Sequence, residues 1–291
     1  MAGREMTVVV ATKDRREQAL TTMSRLHDLP ERPHVILVDN GSVDGTPDAV
    51  ERSCPDVTVL RLGRNLGAEA RTRGVHAART DYVAFADDDS WWAPGALDRA
   101  NQLFDAHPRL GLLAARILVG PDERLDPVSA EMAASPLGTE PDLPGPSVLG
   151  FLACGSIVRR SAYLQVGGFS PVIFFGGEET LLAQDLAAAG WGVVYVDDVV
   201  AHHHPGARGA ESERVRLQLR NALLSTWLRR PVVVAARHTG RALRGVRDAQ
   251  VRGALIDAVR RLPAVVAARR ALPPEVESQI RVLEAAEGRS P

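Results

Sequence analysis

The apolar run Tyr82-Val83-Ala84-Phe85-Ala86 leads directly into Asp87, Asp88 and Asp89. An uninterrupted apolar run with polar borders is the pattern of a strand buried on both faces, as in a parallel sheet. Three adjacent carboxylates at its end repel one another and require a neutralising partner. A hard divalent cation with oxygen ligands supplies one, with phosphate oxygens completing its shell. Open α/β sheets bind ligands at the carboxyl ends of their strands, which is where the triplet falls. The competing reading is a solvated acidic turn that caps a helix starting near Pro94.

Similar runs precede it at Met6–Ala11, His34–Asp39 and Val57–Leu62. Helical patterns lie between them, from Asp14, from Thr46 with Pro47 at the favoured first position, and from Asn65 to Arg79. This alternation predicts the α/β class: a doubly wound, mostly parallel sheet. The segment from Gly120 to Ser147 carries six prolines and reads as a long irregular loop, a type that is usually functional or mobile. The rhythm resumes with a strand over Phe151–Arg159, a helix over Glu178–Ala189 and a strand over Val193–Val196. His202-His203-His204-Pro205 closes the unit. Beyond it, Val215, Leu219, Ala222, Leu223, Thr226 and Trp227 recur at helical spacing on one expected face. A second, arginine-studded helical stretch runs from Val232 to Arg270. The expected organisation is a catalytic domain over residues 1–205 and a basic helical region over 206–291.

Charge follows the same division. The 291-residue chain has a formal net charge of −1, yet the part from Pro205 onward has 17 Arg against 8 Asp and Glu, a net of +9. The preceding part therefore carries −10. An acidic front argues against a nucleic-acid partner and suits a cation-dependent site. The basic helices have two readings. They lie on an anionic membrane surface, the usual habit of basic amphipathic helices, or they pack on the catalytic unit or on a second copy in a homodimer. No apolar stretch approaches the ~20 residues of a membrane span, and no signal-peptide pattern opens the sequence. The two cysteines, Cys54 and Cys154, lack metal-ligand spacing and read as reduced thiols. The expected location is the cytoplasm, with association at the inner membrane face if the tail binds lipid.

In their order along the chain, several segments resemble the family 2 glycosyltransferases of the GT-A fold. Val8-Val9-Val10-Ala11-Thr12-Lys13-Asp14-Arg15 looks like that family's first strand and polar turn. Val38-Asp39-Asn40-Gly41-Ser42-Val43-Asp44-Gly45-Thr46 matches its "VDNGSxDGT" stretch. Asn65-Leu66-Gly67-Ala68, with Arg71 and Gly74, resembles "NxGxxxARNxG", departing from it at Thr72-Arg73. Asp87-Asp88-Asp89 stands at the DxD-type motif, and Arg159 to Phe169 resembles "RRxxxxxVGGF". Glu178-Glu179 stands where the family usually has Glu-Asp. The likeness covers roughly residues 6 to 205.

The resemblance implies an inverting, metal-dependent transfer from a nucleotide diphosphate sugar to an acceptor hydroxyl. UDP sugars are the default donor and dTDP sugars are close behind. Asp39 would accept a hydrogen bond from the base N3–H, with an Asx turn into Gly41-Ser42 as its alternative role. Thr12 would contact the base, and Arg71 the base carbonyl or phosphate oxygens. Asp88, with Asp87, would hold the ribose. Asp89 and His203 would hold Mn²⁺ or Mg²⁺, imidazole suiting Mn²⁺ better. Glu179 would be the general base with Glu178 behind it, and Asp185 a weaker candidate base. Trp91 and Trp92 would stack on a sugar ring or fill the core. The acceptor stays open among a lipid-linked glycan, a natural product and a peptide. Two other classes compete: a sugar-phosphate nucleotidyltransferase, whose Gly-rich phosphate loop is missing here, and a degenerate nucleotide-binding or interaction protein without turnover.

Overall fold

The computed structural model describes residues 6–206 and 211–288. The four apolar runs become β1 (Thr7–Thr12), β2 (His34–Asp39), β3 (Thr58–Arg61) and β4 (Tyr82–Asp87). They lie parallel in the order β3-β2-β1-β4, linked by helices α1 (Arg16–His27), α2 (Thr46–Ser53) and α3 (Glu69–Ala77). Successive side chains of a strand point to opposite faces. Val8 and Val10 of β1 accordingly pack with Met23 and Leu26 of α1, while Val9 packs with Val75 of α3 on the other face. Gly74 lets α3 approach this closely, since a Cβ there would stand 2.3 Å from a methyl of Val9.

The second half supplies β5 (Ser90–Trp92), α4 (Ala96–Ala106), β6 (Leu110–Val119), β7 (Arg124–Leu125), α5 (Pro127–Ala133), β8 (Ser156–Arg159), α6 (Arg160–Val166), α7 (Glu178–Ala188) and β9 (Gly192–His203). Strand β8 inserts antiparallel between β4 and β6. Strand β9 runs parallel to β6, and β5 pairs antiparallel with its end. The full order is β3-β2-β1-β4-β8-β6-β9-β5, with β7 on β6. The sheet is therefore mixed beyond β4.

Several elements differ from the sequence expectation: β8 starts only at Ser156, the stretch from Val232 onward breaks into three helices, and two further cases have a clear physical cause. The final strand extends over 12 residues and includes His202 and His203. Its register against β6 jumps from Ala115↔Val196 to Arg116↔Val200. Asp197 and Asp198 bulge out there and pair with Arg116 and Arg99. Those two charges end the apolar pattern, so the strand reads short in sequence. The proline-rich segment also holds structure: Asp126 caps α5 by accepting from the Val128 N–H at 2.8 Å, with Pro127 at the first position.

The C-terminal region forms α8 (Glu211–Arg229), α9 (Val232–Arg244), α10 (Ala249–Arg260), α11 (Leu262–Ala268) and α12 (Pro274–Glu287). Leu223, Leu224 and Leu228 of α8 share one cluster with Leu255, Ala258 and Val265, and with Val172, Ile173 and Leu181 from the sheet-bearing part of the chain. The buried face of α8 is rotated from the expected one. Leu223 and Thr226 are inside, but Val215 and Leu219 are each 37% exposed. Arg220 and Asn221 turn inward instead, because their side chains donate to the carbonyls of Ile173, Phe175 and Gly176. Among the described residues no helix is long and apolar enough to cross a membrane.

Candidate active site

Three strand ends gather the expected residues. Thr12 lies in register with Asp39, and Ala11 with Asp87, so β1, β2 and β4 deliver their polar ends to one crevice. The Asp39 carboxylate is buried and accepts from the Ser42 N–H at 3.2 and 3.3 Å. Asn40, beside it, lines the crevice and ties down the next motif: its Oδ1 accepts from the Leu66 N–H at 2.7 Å and its Nδ2 donates to the Gly67 carbonyl at 3.1 Å.

The aspartates have three different partners. Asp87 receives the Arg71 guanidinium, and its own N–H donates to Ser90 Oγ at 2.7 Å. Asp88 is buried, and its Oδ2 accepts from Thr12 Oγ1 at 2.8 Å. Burial pushes its carboxyl up to about 6, against the hydrogen bond from Thr12. Asp89 Oδ1 lies 3.4 Å from His203 Nε2. This proximity follows from topology, because β5 pairs Ser90 with His203. Burial alone would raise Asp89, yet the hydrogen bond and charge of His203 hold it below the ordinary carboxylate range. His203 moves reciprocally: burial would lower it, and Asp89 raises it overall. Arg15 adds a cation 3.9 Å from Asp88 and 3.5 Å from Asp89.

Arg71 joins this group to the two glutamates. It is buried on α3, and its Nε finds no partner. Its charge acts on both Glu178 and Glu179 at the start of α7. Glu178 is 1% exposed, and its Oε2 is likewise unpartnered. Removal from water raises both carboxyls, and the charge of Glu178 raises Glu179 further. A carboxylate kept proton-hungry in this way is suited to accept a proton.

A cavity of about 950 Å³ opens over these residues. Thr12, Arg71, Asp87, Asp88, Asp89 and His203 line it. Asp39, Glu178 and Glu179 stand outside its lining, and Phe174 and Phe175 face it on the loop that leads to α7. That loop is held against the third motif. The Ala68 N–H donates to the Phe174 carbonyl at 2.7 Å. Gly67 has φ +63°, and an added Cβ would lie 2.1 Å from the same carbonyl oxygen, so only glycine fits there.

Several expectations resolve differently. Neither tryptophan lines the cavity: Trp92 is fully buried in the core, and Trp91 is covered by Arg25 at 3.9 Å and stacked on His202. Asp185 is engaged by Arg229 of α8 and does not line the cavity. Lys13, Arg15 and Asn40 also line the cavity; they stand inside the quoted motifs, but their residue types alone do not single them out. Arg214, Arg220 and Arg261 of the tail line it as well. Nothing local in the sequence marks them, because the packing of α8 and α10 on the catalytic unit brings them there.

Among the described residues no three His, Cys, Asp or Glu side chains are gathered into a ready metal cage. The site instead offers one carboxylate and one imidazole, Asp89 and His203, bordering an open cavity. An oxygen and a nitrogen donor with free positions suit Mn²⁺ or Mg²⁺ shared with a phosphate-bearing substrate.

Residues 7–167 match the model of glycosyl transferase family 2, and the chain belongs to that family. It is 34% identical over 209 residues to N-acetylglucosaminyl-diphospho-decaprenol L-rhamnosyltransferase of Mycobacterium tuberculosis, covering 60% of this chain and 67% of that one. The pre-mycofactocin glycosyltransferase of the same organism is 32% identical over 209 residues, covering 69% of this chain and 43% of that one. Among solved structures, the mannosyltransferase PcManGT from Pyrobaculum calidifontis, in complex with GDP-Man and Mn²⁺, superposes with a TM-score of 0.61 at 20% identity over 97% of this chain and 80% of that one. S. aureus TarS 1-349, in complex with UDP-GlcNAc, gives 0.58 at 18% identity over 76% and 66%. At such identities the likeness is one of fold, the GT-A fold with C-terminal helices.

Proposed function

We propose that this glycosyltransferase is inverting and moves a sugar from a UDP or dTDP sugar to an acceptor hydroxyl, with Mn²⁺ or Mg²⁺ at Asp89 and His203. The observation that carries the reading is the Asp89–His203 pair, 3.4 Å apart on the wall of a cavity that Asp87 and Asp88 also line. A divalent cation held there would neutralise the charge that develops on the leaving diphosphate.

Each residue of the site has its own part in this reading. Asp39 keeps acceptor capacity beyond the Ser42 N–H, since a carboxylate has about four lone-pair sites, and takes the base N3–H. Thr12 orients Asp88, which with Asp87 holds the ribose. Arg71 fixes Asp87 and reaches donor oxygens. Glu179 takes the proton from the attacking hydroxyl, and Glu178 supports it by raising its proton affinity. Phe174 and Phe175 line the cavity and Glu179 does not; in this reading that loop moves aside to admit Glu179.

The acceptor is assigned as a lipid-linked glycan rather than a natural product or peptide. One relative's name specifies a diphospho-decaprenol acceptor, and the tail has apolar side chains exposed among arginines. The protein would then work at the inner membrane face. The test is a transfer assay with UDP and dTDP sugars, with and without Mn²⁺, and with the anomeric configuration of the product determined. Metal-dependent nucleotide release with inversion is expected. Retention, or no release with any donor and metal, contradicts the reading.

A further inference from the structure

Three guanidinium groups on the cavity wall, those of Arg214, Arg220 and Arg261, have no carboxylate partner among the described residues. The other cations of the same cavity all do. Lys13 pairs with Asp14, Arg15 with Asp88 and Asp89, and Arg71 with Asp87. Arg220 is only 9% exposed. Arg220 and Arg261 are held side by side by consecutive carbonyls: Arg220 Nη2 donates to Ile173 O at 2.9 Å, and Arg261 Nη1 to Val172 O at 2.7 Å. Burial, and then the charge of Arg261, push Arg220 below the ordinary guanidinium range. Asp257, whose charge acts on Arg220 in the opposite sense, is already engaged by Arg216 at 2.6 Å and by Arg260 at 3.6 Å.

A buried cation beside a second cation, with its one acid shared with other arginines, is unfavourable on its own. Such a cluster on a cavity wall becomes favourable when an anion occupies it. Planar guanidinium forks match phosphate oxygens in particular. A diphosphate could come from the donor or from the acceptor. The donor's charge already has a partner in the proposed reading, the cation at Asp89 and His203, whereas Arg15 and Arg71 are taken up by the aspartates.

We propose that Arg214, Arg220 and Arg261 form a second anion subsite, which binds a phosphate or diphosphate ester on the acceptor. This inference rests on the transferase reading above and deepens it by naming the side chains that would hold the acceptor's phosphate, apart from those that hold the donor. Phe175, 53% exposed on the same cavity, offers an apolar surface next to that anion.

The test is calorimetric titration of the full chain with inorganic pyrophosphate in EDTA, and separately with UDP and Mn²⁺. Arg214 is exposed and makes no hydrogen bond among the described residues, so Arg214→Gln should leave the fold intact even if Arg261→Gln does not. Each substitution should weaken pyrophosphate binding by about tenfold or more, the scale of one charge-assisted hydrogen bond. UDP–Mn²⁺ affinity should change by less than about twofold. Wild-type protein that binds no pyrophosphate, or variants that bind it as well as wild type, would overturn the subsite. UDP affinity falling in parallel with pyrophosphate would assign the arginines to the donor and overturn it equally. Wild type that binds pyrophosphate but no nucleotide would instead count against the donor reading alone.

Discussion

Asp185 and Arg229 form a two-pronged ion pair between α7 and α8, with Arg229 Nη2 2.8 Å from Asp185 Oδ2 and Nε on Oδ1. Their side chains are 10% and 5% exposed. The pair joins the helix that begins with Glu178 and Glu179 to the helix that carries Arg214 and Arg220 into the cavity. Removing one member of a buried pair leaves the other charged and unpaired, at a cost of about 3–5 kcal/mol. Arg229→Ala leaves Asp185 only the longer 3.5 Å contact to the exposed Arg270, and should lower stability by up to that amount in chemical denaturation. Asp185→Asn should also destabilise, with turnover per folded molecule retained. A folded Asp185→Asn protein without turnover would make Asp185 the base after all.

A second prediction concerns the contact between Gly67 and Phe174. Positive φ at a non-glycine residue costs about 1–3 kcal/mol, and here a Cβ would also collide with the Phe174 carbonyl. Gly67→Ala should lose at least that much stability and displace the loop that leads to Glu179. Nucleotide affinity and turnover should both fall. A crystal structure of the variant with Phe174 unmoved would contradict the account.

These two relationships also mark the reach of the sequence. The strand ends at Thr12, Asp39 and Asp87 are legible because buried parallel strands announce themselves by continuous apolar runs, and each run passes directly into its motif. The pairing of Asp89 with His203 is legible only through the family resemblance; physically it depends on β5 and β9 meeting across more than a hundred residues. The inward face of α8 escapes apolar spacing, because Arg220 and Asn221 face inward to satisfy loop carbonyls. Arg261 is invisible for the same reason: its partner is a backbone oxygen, which no side-chain pattern reveals.

The metal assignment predicts unequal effects. Asp89→Ala removes the proposed anionic ligand and should abolish metal-dependent donor binding and turnover. His203→Ala should weaken Mn²⁺ affinity while leaving the thermal transition nearly unchanged, because His203 is a partly exposed strand-end residue. Mn²⁺ titration by electron paramagnetic resonance reads both. Full affinity in both variants would remove Asp89 and His203 from the metal site.

Glu179 predicts a pH profile. A general base works unprotonated, and loss of solvation followed by the charge of Glu178 raises this carboxyl above its ordinary value. The rate should therefore fall as pH drops through the raised value, at a higher pH than an exposed carboxylate would give. Glu178→Gln removes the second cause and should shift the acid limb of kcat/KM to lower pH. Glu179→Gln should reduce transfer by about 10²- to 10⁴-fold, the usual contribution of a positioned base, with nucleotide affinity kept. An acid limb unmoved by Glu178→Gln would show that another group controls it.

The last prediction concerns the outer faces of α9 to α11. Burial against the catalytic unit takes up Leu255, Ala258 and Val265, but Val233 and Val266 remain 79% and 73% exposed. Leu243, Ile256, Val259 and Leu262 are exposed as well, as are Arg237, Arg244, Arg252 and Arg260. Apolar groups among arginines suit an anionic lipid surface, where each arginine contributes about 1 kcal/mol and salt weakens the attraction. A symmetric contact between two copies would instead set arginine against arginine. The intact protein should pellet with phosphatidylglycerol vesicles at low salt, release as salt rises, and bind neutral vesicles poorly. Val233→Glu with Val266→Glu touches no core position and should abolish pelleting without lowering the unfolding temperature. Protein that stays in the supernatant with anionic vesicles at low salt would contradict the membrane surface, and equal pelleting of the double variant would place the contact elsewhere on the chain.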